Sequence, residues 1–134
     1  MSLLLDTHYV FALADSPGLI SKKERDFLGN HDELFAISAV SIWEIRLKWN
    51  SYYASGMRKA PASPEKVLGI LSAADTTWFL PLTPTHAGTT LKTQIAHKDP
   101  FDELLLAQAQ SEGLMLLTRD RKLISHPLAM SVPA

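Results

Sequence analysis

Carboxylates stand at the places in this chain where an alternating strand–helix protein keeps its ligands. Asp6 ends the first apolar run, Leu3–Leu5, and Asp120 follows a later one, Leu114–Thr118. Glu44 falls one to two turns into the helix after Leu34–Ile37, and Asp99 and Asp102 flank a helix start at Asp99-Pro100. Each acid has a structural account when taken alone. Glu44 completes a capping box with Ser41, Asp99 is an N-cap, Asp102 then sits at N3, and Asp120 can cap a turn. Helix starts favour such acids by about 0.3–1 kcal/mol. As a set they ask for more. Acids gathered at one cleft repel one another, and unpaired they push some of their pKa values upward. A hard divalent cation relieves that conflict, because Mg²⁺ and Mn²⁺ take oxygen ligands and Mg²⁺ keeps waters that a substrate can displace. The chain has no cysteine and none of its five histidines pairs at i,i+4 spacing, so zinc is not indicated. Carboxylate-held Mg²⁺ serves phosphate chemistry: it polarises the phosphoryl group and lowers the pKa of a bound water.

The elements that must position these acids follow from punctuation and patterning. Short apolar runs at Leu3–Leu5, Leu34–Ile37, Thr77–Leu82 and Leu114–Thr118 predict strands, with Met130–Val132 a last edge strand. Tyr9–Ala14 predicts a short helix stopped by Ser16-Pro17-Gly18. Ser21 and Glu24 form a capping box that opens a helix to about Asn30. Ser38 or Ser41 opens the next, which runs to Trp49. Ser63-Pro64 and Thr83-Pro84 each place proline at a first helical turn, the second predicting a helix to about Ala96. Asp99-Pro100 repeats the signal, with Gly113 closing that helix after Glu112. Asp120–Ile124 reads as a helical turn, and residues 50–63 as a loop or an extended helical arm. Buried strands alternating with capped helices predict a three-layer α/β/α sandwich around a mostly parallel, four- to five-stranded sheet, in one domain over 1–134. Ligands in such folds bind beyond the carboxyl ends of the strands, where Asp6 and Asp120 lie.

Composition bounds the reading. At 134 residues and 46% hydrophobic the chain is an ordinary globular protein, neither disordered nor fibrous. No apolar run approaches the ~18 residues of a membrane span, and no Lys or Arg precedes the first apolar stretch as in a secretory signal, so a soluble cytoplasmic protein is expected. The net charge of −1 gives no global positive field for a nucleic acid. That neutrality conceals a division. With Asp6, Glu44, Asp102 and Asp120 set aside for a metal, the remaining acids are outnumbered by the 13 basic residues.

The segments LLLDTH, SAVSIWEI, HKDPFDELLLAQA and LLTRD resemble, in order and spacing and over nearly the whole chain, the PIN-domain ribonucleases. More narrowly they resemble the VapC-type toxins of bacterial toxin–antitoxin pairs. The resemblance implies that Asp6, Glu44, Asp102 and Asp120 are the acidic quartet that holds one or two Mg²⁺ or Mn²⁺ ions. It implies metal-activated water attacking an RNA phosphodiester in line, leaving a 5′-phosphate and a 3′-hydroxyl. Asp99 would be an auxiliary acid, and Thr118 would orient a carboxylate or a metal-bound water, with Thr7 and Ser38 weaker claimants to that task. The family habit adds a VapB-like antitoxin and a homodimer. Two departures stand out: Glu103 replaces a basic residue after the second Asp of DPFD, and the stretch after the Glu44 helix is longer and more aromatic than the usual basic turn.

From Ile45 to Pro64 there is no acid, while Arg46, Lys48, Arg58 and Lys59 alternate with Trp49, Tyr52 and Tyr53. This window admits three readings: phosphates with unstacked bases, a groove for an antitoxin helix, or a solvated face over core aromatics. Arg119 beside Asp120 either steadies a phosphate or is surface charge. His97 lies by the acids, at the cleft edge or in a structural hydrogen bond. No nucleophile elbow and no Gly-rich phosphate loop occurs. Two other functions compete. One is a catalytically silent PIN-fold interaction module. The other is a Mg²⁺-dependent phosphatase-like domain, which the sequence Asp6-Thr7-His8 disfavours because it lacks a second Asp two residues on.

Overall fold

The structure, a computed structural model, describes residues 1–95 and 99–133. Five strands, β1 (Leu3–Leu5), β2 (Phe35–Ser38), β3 (Thr77–Leu80), β4 (Met115–Leu117) and β5 (Ala129–Met130), form one sheet in the order β3-β2-β1-β4-β5. Every pairing is parallel. The central strands are buried on both faces, which is why their sequences are continuous apolar runs rather than alternating ones. Their two-residue period still sorts side chains between two cores. Leu3, Leu5, Phe35, Ile37 and Leu117 join one, and Leu4, Ala36 and Leu116 the other. Helices cover both: α1 (Thr7–Ala14), α2 (Lys22–Gly29) and α4 (Pro64–Ala73) pack on the first core, and α6 (Pro100–Glu112) on the second. Helix α3 (Ala39–Trp49) contributes Ile45 to one and Val40 to the other. The expected three-layer sandwich is therefore present, with its sheet wholly parallel.

The punctuation holds at most helix starts. Ser21 and Glu24 form both bonds of the capping box, Ser63 caps α4 ahead of Pro64, and Asp99 caps α6 ahead of Pro100. Gly113 closes α6 at φ +69°, a left-handed position that glycine takes without a Cβ penalty. Some expectations are corrected and some alternatives are settled. Helix α3 starts from Ser38, whose hydroxyl accepts from the Val40 amide, so Ser41 is inside the helix and Glu44 is not part of a capping box. Helix α5 (Pro84–Ala87) stops at Gly88 instead of reaching Ala96. The chain beyond it is held by the Gln110 side chain, which donates to Thr90 O and accepts from Lys92 N, satisfying backbone groups that a helix would otherwise pair. Residues 50–63 form no helix. They make a hooked arm in which Tyr52 and Arg58 pair as an antiparallel bridge and the Tyr53 amide bonds Met57 O. The last strand falls slightly earlier than Met130–Val132, because Leu116 N and Thr118 N reach Leu128 O and Met130 O.

Candidate metal and nucleic-acid cleft

The strand ends bring the distant acids together. Leu5 and Leu117 are partners in the β1–β4 register, so the residues that follow them emerge side by side. The Asp6 amide continues the ladder to Leu117 O at 3.0 Å. Asp6 also caps α1, with Oδ1 accepting from the Thr7 amide at 2.8 Å. Its Oδ2 accepts from Thr118 Oγ1 at 2.6 Å, and the same hydroxyl accepts from the Asp120 amide at 3.1 Å. Thr118, fully buried, thus fixes both strand-end acids.

Glu44 enters from α3. Its Oε1 accepts from Thr7 Oγ1 at 2.7 Å, and Thr7 is hydrogen-bonded to Ser41 Oγ at 3.0 Å. Its Oε2 pairs with Lys48 Nζ at 2.7 Å, one helical turn on. The first turn of α6 supplies the others. Asp99 Oδ1 accepts from the Phe101 and Asp102 amides, and Asp102 follows at N3, buried to 9% exposure. The capping roles read for Asp99 and Asp102 are therefore realised, and both side chains still line the cleft. Asp6, Glu44, Asp99, Asp102 and Asp120 border a single cavity of about 780 Å³.

The electrostatics of this cleft are unbalanced. A helix N-terminus favours an ionised Asp6, but burial is the larger influence and pushes its carboxyl above the usual range. The bonds from Thr118 and Thr7 pull it down, and the charges of Glu44 and Asp120 raise it again. Burial opposes the charge of Lys48 as well, yet its bond to Glu44 and the charges of Glu44, Asp99 and Asp6 hold the ammonium above its ordinary value.

An all-oxygen donor set with excess negative charge has the chemistry that Mg²⁺ or Mn²⁺ takes. Among the described residues, no three His, Asp or Glu side chains are drawn closely enough to hold an ion as they stand. The donors fit the ion by type and charge, and they lie around an open cleft rather than a closed cage.

Cations line the same cavity. Met57, Arg58, Lys59, Ala60 and Pro61 of the arm border the same cavity. The Arg58 guanidinium lies 4.1 Å from the Trp49 ring centroid and 5.0 Å from that of Tyr52, and donates to Trp49 O at 2.6 Å. Lys59 Nζ lies 5.7 Å from the Tyr53 ring. The aromatics of this segment therefore hold its cations, while Trp49 also packs on the core. Arg46 is exposed and does not border the cleft. Arg119 borders it, but its guanidinium donates to Leu19 O at 2.7 Å and to His8 Nε2 at 2.9 Å, and lies 3.5 Å from Glu24. It ties the β4 loop to α1 and α2 rather than standing open to a phosphate. Ser38 caps α3 and gives its hydroxyl to Gln108, away from the acids. Glu103 is exposed. His97 lies outside the described residues. The sequence reading does not pair Glu44 with Lys48, although their i,i+4 spacing on one helix face carries the signal.

Comparisons with known proteins agree with this architecture. A chain of a toxin–antitoxin complex from Klebsiella pneumoniae superposes with a TM-score of 0.66 at 20% identity, covering 98% of both chains. A chain of a DNA-bound VapBC from Salmonella typhimurium gives 0.59 at 18% identity, covering 98% of this chain and 96% of that one. A chain of VapBC2 from Rickettsia felis bound to a promoter DNA fragment gives 0.57 at 15%, covering 98% and 97%. At these identities the likeness is one of fold. Comparison with curated proteins gives no match. The sequence profile of the PIN domain matches residues 3–127, nearly the whole chain, and with it the protein belongs to the PIN domain family.

Proposed function

We propose that the protein is a metal-dependent endoribonuclease that hydrolyses RNA phosphodiester bonds, a single PIN-like nuclease domain over 1–134, and the toxin of a toxin–antitoxin pair. The observation that carries this reading is the cleft itself: five carboxylates from four chain segments border one cavity together with Arg58 and Lys59. Asp6, Glu44, Asp102 and Asp120 would hold one or two Mg²⁺ or Mn²⁺ ions, with Asp99 auxiliary. The bound metal supplies Lewis-acid polarisation of the phosphoryl oxygen and a water of lowered pKa. The chain's own residues do the rest. Thr118 holds Asp6 and the Asp120 backbone, and Thr7 holds Glu44, so the acids are oriented before substrate arrives. Arg58, pinned between two rings, and Lys59 present charge to the RNA backbone at little conformational cost. These local cations answer the objection raised by the overall charge of −1.

The toxin reading rests on family membership and on the fold shared with chains of toxin–antitoxin complexes. It brings a VapB-like antitoxin and a homodimer as partners, and the cytoplasm as the place of action. Among the described residues no helix is long and apolar enough to cross a membrane. Exposed Trp43 and Leu47 on α3 and Trp78 on the edge strand are apolar surface of the kind such interfaces cover.

The test is cleavage of an end-labelled RNA by purified protein. We expect cleavage with Mg²⁺ or Mn²⁺, its loss in EDTA, and its loss in Asp6→Asn and Asp102→Asn variants that remain folded. Undiminished cleavage in both variants would overturn the site. A catalytically silent PIN-fold module is the second reading, favoured by the open spacing of the acids; cleavage absent with either metal, together with no calorimetric Mn²⁺ binding, selects it.

A further inference from the structure

Both oxygens of Glu44 are taken in this structure. Oε1 is held from inside by Thr7, and Oε2, the oxygen left for the cleft, carries the Lys48 ammonium at 2.7 Å. An i,i+4 ion pair on an exposed helix face is ordinary and contributes little. This one differs in two respects. The Glu44 side chain is only 11% exposed, and Lys48 borders the acidic cavity instead of projecting away from it. Its ammonium also feels the charges of Asp99 and Asp6, so a single side-chain cation serves acids from three chain segments. A divalent ion that takes Glu44 from the cleft meets that ammonium, and two cations on one carboxylate oxygen repel.

We propose that Lys48 is an internal counter-cation of the acidic cleft, competing with the divalent ion for Glu44 and displaced when the ion binds. The inference rests on the reading of Glu44 as a metal ligand. It explains how buried, mutually repelling acids are tolerated without metal, and it makes a residue one turn after Glu44 on α3 a determinant of metal affinity.

Calorimetric titration of Mn²⁺ into the full chain tests this, on wild type, Lys48→Met and Lys48→Arg. Methionine keeps the packed stem and removes the charge. We expect Lys48→Met to bind Mn²⁺ about tenfold more tightly, as removal of one nearby cation in a half-exposed site allows. Lys48→Arg should bind no more tightly than wild type, since its fork holds a carboxylate at two points. In EDTA the methionine variant should melt at a lower temperature than wild type, and saturating Mn²⁺ should remove that difference. In a Glu44→Gln background the Lys48 substitution should leave Mn²⁺ affinity nearly unchanged. Equal or weaker Mn²⁺ binding by Lys48→Met, with wild type binding normally, overturns the inference and leaves the metal site standing. Absence of Mn²⁺ binding in both wild type and Lys48→Met overturns the metal reading itself, and the inference with it.

Discussion

Thr118 Oγ1 donates to Asp6 Oδ2 at 2.6 Å, joining residues 112 positions apart, and accepts from the Asp120 amide at 3.1 Å. One buried hydroxyl therefore sets the geometry at the ends of β1 and β4. Thr118→Val removes it while keeping shape. We expect metal affinity and RNA cleavage to fall about 10- to 100-fold, as for other residues that orient ligands. Stability should fall by about 1–3 kcal/mol as the Asp120 amide and Asp6 lose a partner. Thr118→Ser should retain most activity. Mn²⁺ titration, cleavage rate and chemical denaturation measure the three effects.

The pH dependence of metal-free stability should carry the signature of Asp6. Its carboxyl is raised above 3.8 in the folded protein. The stabilising contribution of such a group is complete below the unfolded value and is lost as pH rises through the folded one. Asp15, Glu24 and Glu33 are lowered and act in the opposite sense, so comparison with a variant isolates Asp6. Asp6→Asn should melt at a higher temperature than wild type in EDTA at neutral pH, with the gap closing towards about pH 4. A melting temperature below that of wild type at neutral pH would contradict the crowded-acid picture.

Thr7 holds Glu44 from behind, and its hydroxyl is buried. Thr7→Val should leave a carboxylate oxygen without its donor and cost about 1–3 kcal/mol, a loss seen in denaturation at neutral pH. Thr7→Ser, which keeps the hydroxyl, should recover most of it.

The two arginines of the cleft should separate in their effects. Arg58, stacked on Trp49 and Tyr52, faces the cavity. Arg58→Ala should weaken binding of a non-cleavable RNA analogue and reduce the salt dependence of binding by about one contact. Arg119 is tied to Leu19, His8 and Glu24. Arg119→Ala should lower thermal stability and leave the salt slope nearly unchanged. Fluorescence anisotropy across a salt series, paired with melting curves, reads both.

Much of this arrangement was legible without coordinates because it depends on local rules. Apolar runs too short for helices, each ended by an acid or a hydroxyl, define buried parallel strands. Ser21, Ser63 and Asp99 announce helix starts through their own backbone bonds, and Gly113 an end. The site acids follow from the same logic, because chain reversals at the carboxyl ends of parallel strands collect on one edge. What the sequence left open depends on partners remote along the chain. Ser38 outcompeted Ser41 as the cap of α3, because Ser41 is drawn to Thr7 and Ser38 sits between Val40 N and Gln108. Helix α5 ended early, because Gln110, in the last turn of α6, claims the backbone that would have extended it. The direction in which a basic side chain turns is likewise a tertiary matter. Nothing local distinguishes Arg119, locked against Leu19 and His8, from Arg58, stacked along the cleft. The sequence by itself determined the elements and the acids at their ends, since propensity, capping and patterning act over a few residues. Only the tertiary structure decided which oxygen each hydroxyl and cation would occupy, since that is settled by the burial and charge of groups the chain brings from far away.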